Sequence, residues 1–304
     1  MKITNLCPKS GKTTLSYQLF GKRGLILALE QGYSLLDGAM AININSYSDL
    51  NKVLKQLKDE RVKSMYDVII IDTVDLLHLL LEKHLCNTHG VSSINEVGAF
   101  GSGFAKLDSL VNDILLKITS YGYKLFIISH ATPKKALINT PSGEIEVEKY
   151  FPSCPKRTYQ IVSKFCDNIW YISMEMDADN KVTRKLYTRD NKISFGGTRM
   201  EHLPNVMPLD TESINANVKM ALEKAGGKED VKGFIPNYEA AEHNFDEVKN
   251  TLIELVQQKF MPTNKMDIVK EITEKHLGVG FSIMSATPNQ VESLVVILDE
   301  LKSL

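Results

Sequence analysis

The segment CPKSGKTTL, residues 7–15, contains residue types that bind phosphate. It matches the end of the pattern G-x-x-x-x-G-K-[ST], in which backbone N–H groups at a helix start surround a phosphate chain. Gly11 permits close backbone approach, Lys12 reaches the β- and γ-phosphates, and the Thr13 hydroxyl binds Mg²⁺. The segment therefore predicts a site for ATP and Mg²⁺. The predicted nucleotide-binding residues are Pro8, Lys9, Ser10, Gly11, Lys12, Thr13 and Thr14.

The first glycine of this pattern is missing, because Leu6 stands at its position. That glycine eases the turn from strand into loop, whereas the phosphate-binding N–H groups come later, from about residues 9–13. Leu6 therefore bears on nucleotide affinity and turnover more than on fold. The alternative is a Lys-Thr helix start that binds nothing.

A candidate metal ligand follows about sixty residues later, in VIIIDTVD. Asp72 ends a run of four apolar residues that is typical of a strand buried on both faces. A carboxylate at the tip of such a strand can hold the coordination shell of Mg²⁺. Thr13 and Asp72 are thus the predicted metal ligands, and a structural strand-end carboxylate is the alternative for Asp72.

Hydrolysis requires a group that orients or deprotonates water near the γ-phosphate. Thr73 occupies the position directly after Asp72, where many ATPases have a glutamate. Glu30, at the end of LILALE, is therefore the candidate base, and a solvated loop carboxylate is the alternative. His130 ends the run KLFIISH and is a candidate polar sensor, with a structural histidine as its alternative.

Residues 1 to about 210 alternate short β-branched runs with helical stretches, which predicts an α/β fold with a mostly parallel sheet flanked by helices. Two long loops are expected, at about residues 86–104 and 131–158. The predicted strands are KITNL, GLILALE, YDVIIIDTV and YKLFIISH, followed by an antiparallel pair, FCDNIWYISMEM and VTRKLYTRD. The predicted helices are GKTTLSYQLF, SDLNKVLKQLKDE and FAKLDSLVNDILLKITSYG.

The last part of the chain has a different pattern. The core is expected at residues 1–223, a linker at 224–244 and a small helical domain at 245–304. Three amphipathic stretches form that domain, and the last begins with a capping box from Thr287 to Gln290 with proline between them. These helices contain no phosphate or metal pattern.

Composition limits the possible class of protein. The 304 residues are 43% hydrophobic and 24% charged, with a net charge of −1, so nucleic-acid contact requires a local basic patch. No apolar run approaches the ~20 residues of a membrane span, and no signal peptide precedes the phosphate-binding segment. Four scattered cysteines indicate reduced thiols. We therefore expect a cytoplasmic protein without a membrane partner.

Six segments together resemble a known family. In order they are CPKSGKTTL, LALEQG, VIIIDTVDLL, GSGFAKLDSLVNDIL, KLFIISHATPKK and FGGTRMEHLPNVMPLD. Their order and spacing resemble the RecA-like P-loop ATPase core, and most closely the phage-encoded members linked to single-strand annealing and recombination. The resemblance covers about residues 1–215. It implies an ATPase in which Glu30 is catalytic and His130 is the sensor, acting in the cytoplasm of the phage's host.

The resemblance also implies contact with single-stranded DNA through two loops, at about residues 87–104 and 131–158. Cations neutralise DNA phosphates, and aromatic side chains stack on bases. The alternative is a solvated loop, because three glutamates (Glu144, Glu146 and Glu148) dilute the positive charge. The second loop contains the cations Lys134, Lys135, Lys149, Lys156 and Arg157, with the aromatic residues Tyr150, Phe151 and Tyr159 between or beside them.

Proteins of this kind hold nucleotide between neighbouring subunits, so the resemblance implies a homo-oligomer, either a ring or a filament. Arg199, in the segment GGTR, is the candidate cation supplied to the neighbour's γ-phosphate, with Lys192 nearby. An ordinary surface arginine is the alternative. The C-terminal helices are a candidate surface for a single-strand-binding or other recombination protein.

Two classes of function fit these patterns. The first is an ATPase that works on single-stranded DNA in phage recombination, annealing or replication-coupled repair. The second is a regulatory or assembly protein whose nucleotide controls a protein partner. Stimulation of ATP hydrolysis by single-stranded DNA distinguishes the two classes.

Overall fold

The computed structural model describes residues 2–6, 10–30, 32–34, 36–141, 143–176, 179–226 and 244–303. The chain forms two compact units, Met1–Val231 and Lys232–Leu304. Pro8 and Lys9, predicted to bind nucleotide, lie outside the described residues, as does most of the predicted linker. Within the described ranges, no helix is both long and apolar enough to cross a lipid bilayer.

The first unit contains a mixed sheet with helices on both faces. Its strands are β1 (Lys2–Leu6), β2 (Gly24–Ala28), β3 (Met40–Asn43), β4 (Val68–Asp72), β5 (Lys124–Thr140), β6 (Gly143–Pro152), β7 (Asn168–Met176), β8 (Val182–Tyr187), β9 (Gly197–Thr198) and β10 (Val206–Pro208). Its helices are α1 (Lys12–Phe20), α2 (Tyr47–Gln56), α3 (Glu60–Met65), α4 (Val74–His89), α5 (Ser102–Ser120), α6 (Lys156–Lys164) and α7 (Thr211–Lys224).

The spatial order of the strands is β10-β8-β7-β1-β5-β4-β2-β3. From β7 to β3, neighbouring strands are parallel, whereas β8 pairs antiparallel with both β7 and β10. The predicted antiparallel pair is thus confirmed as β7 and β8. Because β1, β5, β4 and β2 are parallel, their carboxyl ends meet at one edge of the sheet, where α/β proteins bind ligands.

The apolar run of β4 is covered on both faces of the sheet. All five of its residues are buried, and successive side chains of a strand point to opposite faces. Ile69 and Ile71 pack in a cluster that includes residues of α2, α4 and α5. Ile70 belongs to a second cluster, and Leu19 and Phe20, the last two residues of α1, pack against it. The four residues before Asp72 are all apolar because the strand has no solvent-facing side.

Two loop predictions were wrong in part. Residues 131–158 contain a β-hairpin, because β5 continues to Thr140 and pairs antiparallel with β6, from Ala131↔Pro152 to Thr140↔Gly143. The strict alternation in GEIEVEKYF was the available strand signal. In the other segment, α4 extends to His89 and α5 begins at Ser102, so only about residues 90–101 form a connection.

The second unit has its own hydrophobic core. Its helices are α8 (Phe245–Leu255), α9 (Met266–Leu277) and α10 (Val291–Lys302), and a π-helical turn, Val256–Phe260, continues α8. Leu252, Leu294, Ile297 and Leu301 are completely buried in this core. The capping box is confirmed, since the Thr287 N–H donates to Gln290 Oε1 over 2.9 Å.

This separate core leads to a prediction about truncation. A chain ending at Glu242 should remain folded and bind Mg²⁺·ATP as the full chain does, because the second unit's core uses only residues 248–301. Isothermal titration calorimetry on both chains measures this. A chain ending at Leu209 is the control, because it also removes Ile214 and Ala221 of α7, which are buried in one cluster with Leu15 of α1; it should lose binding. A folded chain ending at Glu242 that binds no ATP contradicts the prediction.

Candidate functional site

The phosphate-binding segment enters α1 through a left-handed residue. Gly11 has φ 95° and ψ 22° and is the N-cap of α1, a conformation that glycine adopts at little steric cost. Leu15 N–H donates to Gly11 O over 2.8 Å, which closes the first helical turn. Ser10 and Lys12 are buried, whereas Thr14 is exposed on the helix surface. The first N–H groups of a helix have no carbonyl partner within the helix and are suited to bind an anion.

The two predicted metal ligands are in direct contact. Thr13 Oγ1 donates a hydrogen bond to Asp72 Oδ2 over 2.6 Å. Gly32 lies against the pair, since a Cβ at this residue would be 3.2 Å from Thr13 Oγ1 and 3.8 Å from Asp72 Oδ2. The structure thus brings a hydroxyl and a carboxylate together beside a residue without a side chain.

This oxygen pair fits Mg²⁺. Mg²⁺ is typically held by one or two carboxylates together with waters and substrate phosphates. Accordingly, the described residues contain no cluster of three His, Cys, Asp or Glu side chains that could hold a metal alone. The buried Thr73 Oγ1, directly after Asp72 in the chain, has no hydrogen-bond partner among the described residues.

Burial raises the pKa of Asp72 above its usual range, and the hydrogen bond from Thr13 partly opposes this shift. The negative charge of Glu30 also raises the pKa, whereas Lys12 lowers it. A cation bound beside the carboxylate would favour its ionised form.

Lys12, His130 and Glu30 form a chain of polar contacts. Lys12 Nζ lies 3.3 Å from His130 Nδ1, and His130 Nε2 lies 2.6 Å from Glu30 Oε1. Because an ammonium group can only donate, it makes Nδ1 the acceptor, and Nε2 then carries the hydrogen that is donated to Glu30. The imidazole thereby fixes the direction of the Glu30 carboxylate relative to the phosphate-binding lysine.

Asp75 holds His130 from the other side. Its carboxylate accepts the backbone N–H of His130 over 3.0 Å and the hydroxyl of Ser129 over 3.2 Å. It also accepts a hydrogen bond from the Ser153 hydroxyl, and the Ser153 N–H donates to His130 O over 2.9 Å. Asp75 therefore connects the end of the buried part of β5 to the residue that follows β6, at the base of the hairpin.

A family model described as an AAA domain matches residues 7–200. The chain belongs to the AAA domain family. Over 307 aligned residues it is 29% identical to the SPbeta prophage-derived uncharacterized protein YorG of Bacillus subtilis strain 168, covering 97% of this chain and 90% of that protein. A KaiC-like protein from Pyrococcus horikoshii OT3 superposes with a TM-score of 0.36 at 10% identity, over 62% of this chain and 78% of that one.

The strand order of the sheet is consistent with membership of the AAA domain family. The predicted α/β fold, with a mostly parallel sheet flanked by helices, is confirmed. Its phosphate-binding loop follows β1, and Asp72 ends β4, with β5 between these two strands. This P-loop NTPase fold supports nucleotide binding by the chain.

The cations predicted to contact DNA differ in their surroundings in this AAA domain. Lys134 and Lys156 are exposed. Lys135 is exposed too, but it pairs with Glu146 across the hairpin at 2.7 Å. Arg157 Nε donates to Asp108 Oδ2 over 2.9 Å, and its guanidinium lies 5.7 Å from the ring centre of Phe104. Contact with DNA requires Lys135 and Arg157 to exchange these acidic partners for phosphates.

The remaining basic and aromatic residues of this segment stabilise the protein's own interior. Lys149 is buried and pairs with Asp190 at 2.7 Å. Tyr150 stacks on Tyr171 at 5.5 Å, and Phe151 stacks on Phe195 at 5.7 Å. Tyr159 meets Phe195 edge-on. These rings contact other rings of the protein, so base stacking would need them to move.

Arg199 lies at the opposite end of the parallel strands from Gly11 of the same chain. Its N–H donates to Asp167 O, and its guanidinium donates to Asp167 Oδ1, each over 2.8 Å. Asp167 directly precedes β7, which runs parallel to β1 and begins beside Lys2. Arg199 therefore lies at the amino ends of the strands, whereas Gly11 follows a carboxyl end. A role in a neighbouring subunit's site stays a prediction.

Sequence reasoning missed three residues near the site: Asp75, Gly32 and Arg184. Asp75 was given no role because the predicted strand YDVIIIDTV ended at Val74 and no helix was predicted after it, although Val74, Leu77, Leu81 and Leu85 show the spacing of a helix face. A Cβ at Gly11 would lie 3.6 Å from Arg184 Nη1. No local signal indicates this contact, because it depends on the order of strands in the sheet.

The contacts of Glu30 generate a prediction. Glu30→Gln should still bind Mg²⁺·ATP, because a glutamine oxygen can accept the same hydrogen from His130. Its hydrolysis rate should fall by about 10²-fold or more, as expected for loss of a positioned base. Lys12→Ala should lose both binding and hydrolysis. Glu60→Gln on α3 is the matched control and should change neither. Phosphate release and calorimetry measure the two properties, and full turnover by Glu30→Gln contradicts the assignment.

Proposed function

We propose that this chain hydrolyses ATP, with Mg²⁺, at the carboxyl edge of its parallel sheet. One observation carries the proposal: Lys12, Thr13, Glu30, Asp72 and His130, from four separate segments, converge there through contacts of 2.6–3.3 Å. Phosphoryl transfer to water requires a cation beside the phosphates, oxygen ligands for a metal and a group that positions the attacking water. This cluster contains all three.

Each group has a chemical role in this proposal. The N–H groups of residues 10–14 bind the phosphate oxygens, and the ammonium of Lys12 offsets their charge. Thr13 Oγ1 and Asp72 Oδ2 would hold Mg²⁺, which supplies positive charge to the phosphate oxygens when bound. Glu30 accepts the proton of the attacking water at a carboxylate oxygen. His130 Nε2 donates to the other Glu30 oxygen and keeps the carboxylate in place.

We further propose that the protein acts on single-stranded DNA in phage recombination, annealing or replication-coupled repair. Its relative is prophage-derived, and the sequence resembles RecA-like phage ATPases. Lys134 and Lys156 are exposed on and directly after the hairpin that Asp75 joins to His130. A nucleotide-dependent shift of His130 could reach the hairpin through this connection.

One observation favours the alternative, in which nucleotide controls a protein partner. In the hairpin, Glu144, Glu146 and Glu148 share one face with Lys135 and Leu137, because directly paired residues of antiparallel strands lie on the same side. All three glutamates are exposed. Such an acidic face repels DNA phosphates and is suited to a basic protein surface.

Hydrolysis measured with and without single-stranded DNA tests the DNA proposal. DNA should raise ATP turnover. Replacing Lys134, Lys135, Lys156 and Arg157 by Ala should weaken DNA binding and flatten its salt dependence, since fewer counterions are released, while turnover without DNA stays the same. The control removes four other exposed cations, Lys55, Arg61, Lys219 and Lys224. Wild-type binding strength and salt slope in the first variant would assign DNA contact elsewhere, and absence of any DNA effect in the wild type favours the alternative.

We also propose a homo-oligomer, a ring or a filament, in which Arg199 completes the neighbour's site. Its guanidinium is exposed and held only by Asp167 among the ion pairs of the described residues. An arginine supplied to a transferring phosphoryl group raises turnover by about 10³-fold or more in other systems. The C-terminal unit is proposed as the contact for a single-strand-binding or other recombination protein.

A mixing experiment tests this role of Arg199. Arg199→Ala subunits should bind ATP without turning it over. Adding Lys12→Ala subunits, which retain Arg199, should restore part of the turnover, because each intact arginine then faces an intact lysine site. Arg61→Ala is the control and should need no rescue. Absence of rescue at every ratio, although the two variants co-assemble, removes Arg199 from the active site.

A further inference from the structure

The β7–β8 pair extends beyond the edge of the sheet where the phosphate-binding loop lies. Tyr171 of β7 is level with Asn5 of β1, and β7 continues for five more residues to Met176. The antiparallel strand β8 follows it over this length, and Met176 pairs with Val182. The ribbon therefore extends beyond the carboxyl end of β1.

One face of this ribbon continues the face that packs on α1. Ile172 and Leu186 are paired across the strands and are buried in a cluster with Leu15 of α1. Because side chains alternate along a strand, the next pairs on that same face are Met174–Arg184 and Met176–Val182. The first of these pairs reaches the amino end of α1, because Arg184 lies beside Gly11, the N-cap of the helix.

These two pairs are exposed and have an unusual composition. Met174, Met176 and Val182 are 46%, 71% and 56% exposed. The Arg184 guanidinium reaches Gly11, since its Nη1 is 3.6 Å from the position of a Cβ at that glycine. Within the described ranges, Arg184 forms no ion pair. An apolar surface and a cation therefore lie next to the start of the phosphate-binding helix.

We propose that Met174, Met176, Val182 and Arg184, here called the nucleoside platform, bind the nucleoside half of the nucleotide. This inference rests on the proposed function, because it requires phosphates at residues 10–14. A phosphate chain held at the start of α1 has its nucleoside outside this helix start, and the platform borders the helix start through Arg184, which lies beside Gly11. Methionine side chains adapt to a flat aromatic ring. The Arg184 fork binds phosphate oxygens between the base and Lys12.

Arg184 and the two methionines of the platform have separate tasks. Arg184 contributes to any ligand with a phosphate chain, whether or not a base is attached. Met174 and Met176 contribute only when a base is present. Mg²⁺·ATP and Mg²⁺·tripolyphosphate, which has the phosphate chain alone, separate these contributions.

Isothermal titration calorimetry on the full chain tests the platform with these two ligands. The wild type should bind ATP more tightly than tripolyphosphate. A variant with Met174→Ser and Met176→Ser should lose about tenfold in ATP affinity, from the apolar contact removed, with tripolyphosphate affinity unchanged. Arg184→Gln should weaken both ligands by about tenfold, as for loss of a charge-assisted hydrogen bond.

Controls separate this inference from the proposed function. A variant with Met174→Leu and Met176→Leu keeps an apolar surface and should keep ATP affinity. Met65→Ser replaces an exposed methionine on α3 and should have no effect. If the wild type binds neither ligand, the proposed function fails together with the platform. If it binds ATP but the double serine variant keeps the wild-type ratio of the two affinities, or if Arg184→Gln binds both ligands normally, the platform alone is wrong.

Discussion

The parallel register of β2, β4 and β5 is the constraint on which the candidate site depends. Ala28, Asp72 and Ile128 occupy one row of the sheet, so Glu30 and His130 both follow two residues beyond that row. Backbone hydrogen bonds between buried strands determine this alignment, and a shift of one residue would turn each side chain to the other face. The 2.6 Å contact between His130 and Glu30 is a consequence of it.

Buried apolar strands make the polar edge possible. Because Ile69 and Ile71 pack on one side of β4 and Ile70 on the other, the strand has little freedom, and Asp72 at its tip is carried to a defined place. The cost is desolvation of the carboxylate, which raises its pKa. Hydrogen bonds to Asp72 and Asp75 offset part of the cost of placing carboxylates there, and a bound cation would offset more.

Asp75 gives the site a physical connection to the rest of the unit. A carboxylate accepts several hydrogen bonds at once, and this one accepts donors from β5 and from the residue that follows β6, at the base of the β5–β6 hairpin. The hairpin has an acidic face and few cations without acidic partners, so its charge pattern is consistent with either of the two partner classes. The hydrogen bonds of Asp75 are compatible with either partner class, because they join His130 to the hairpin whatever the hairpin binds.

Local pattern was sufficient for much of the fold. The apolar runs of β2 and β4, the helix after Gly11 and the capping box at Thr287 each depend on neighbours in the chain, so the sequence predicted them. The helix α4 and the β5–β6 hairpin also had local signals, namely helical spacing after Asp72 and alternation in GEIEVEKYF. The helix was missed because the predicted strand YDVIIIDTV was extended to Val74 and no helix was predicted after it. The hairpin was missed because its residues were assigned to a loop with proline and glycine.

The sequence by itself determined the phosphate-binding segment, its Thr13 and Asp72 ligands as candidates, and the α/β class, since residue type and spacing along one segment encode each of them. Only the tertiary structure decided which side chains meet across segments. His130 touches both Lys12 and Glu30, Asp75 holds His130, and Arg184 lies beside Gly11 although 173 positions separate them in the numbering. These contacts follow from strand order and register, which arise from long-range packing and leave no trace in any short stretch of the chain.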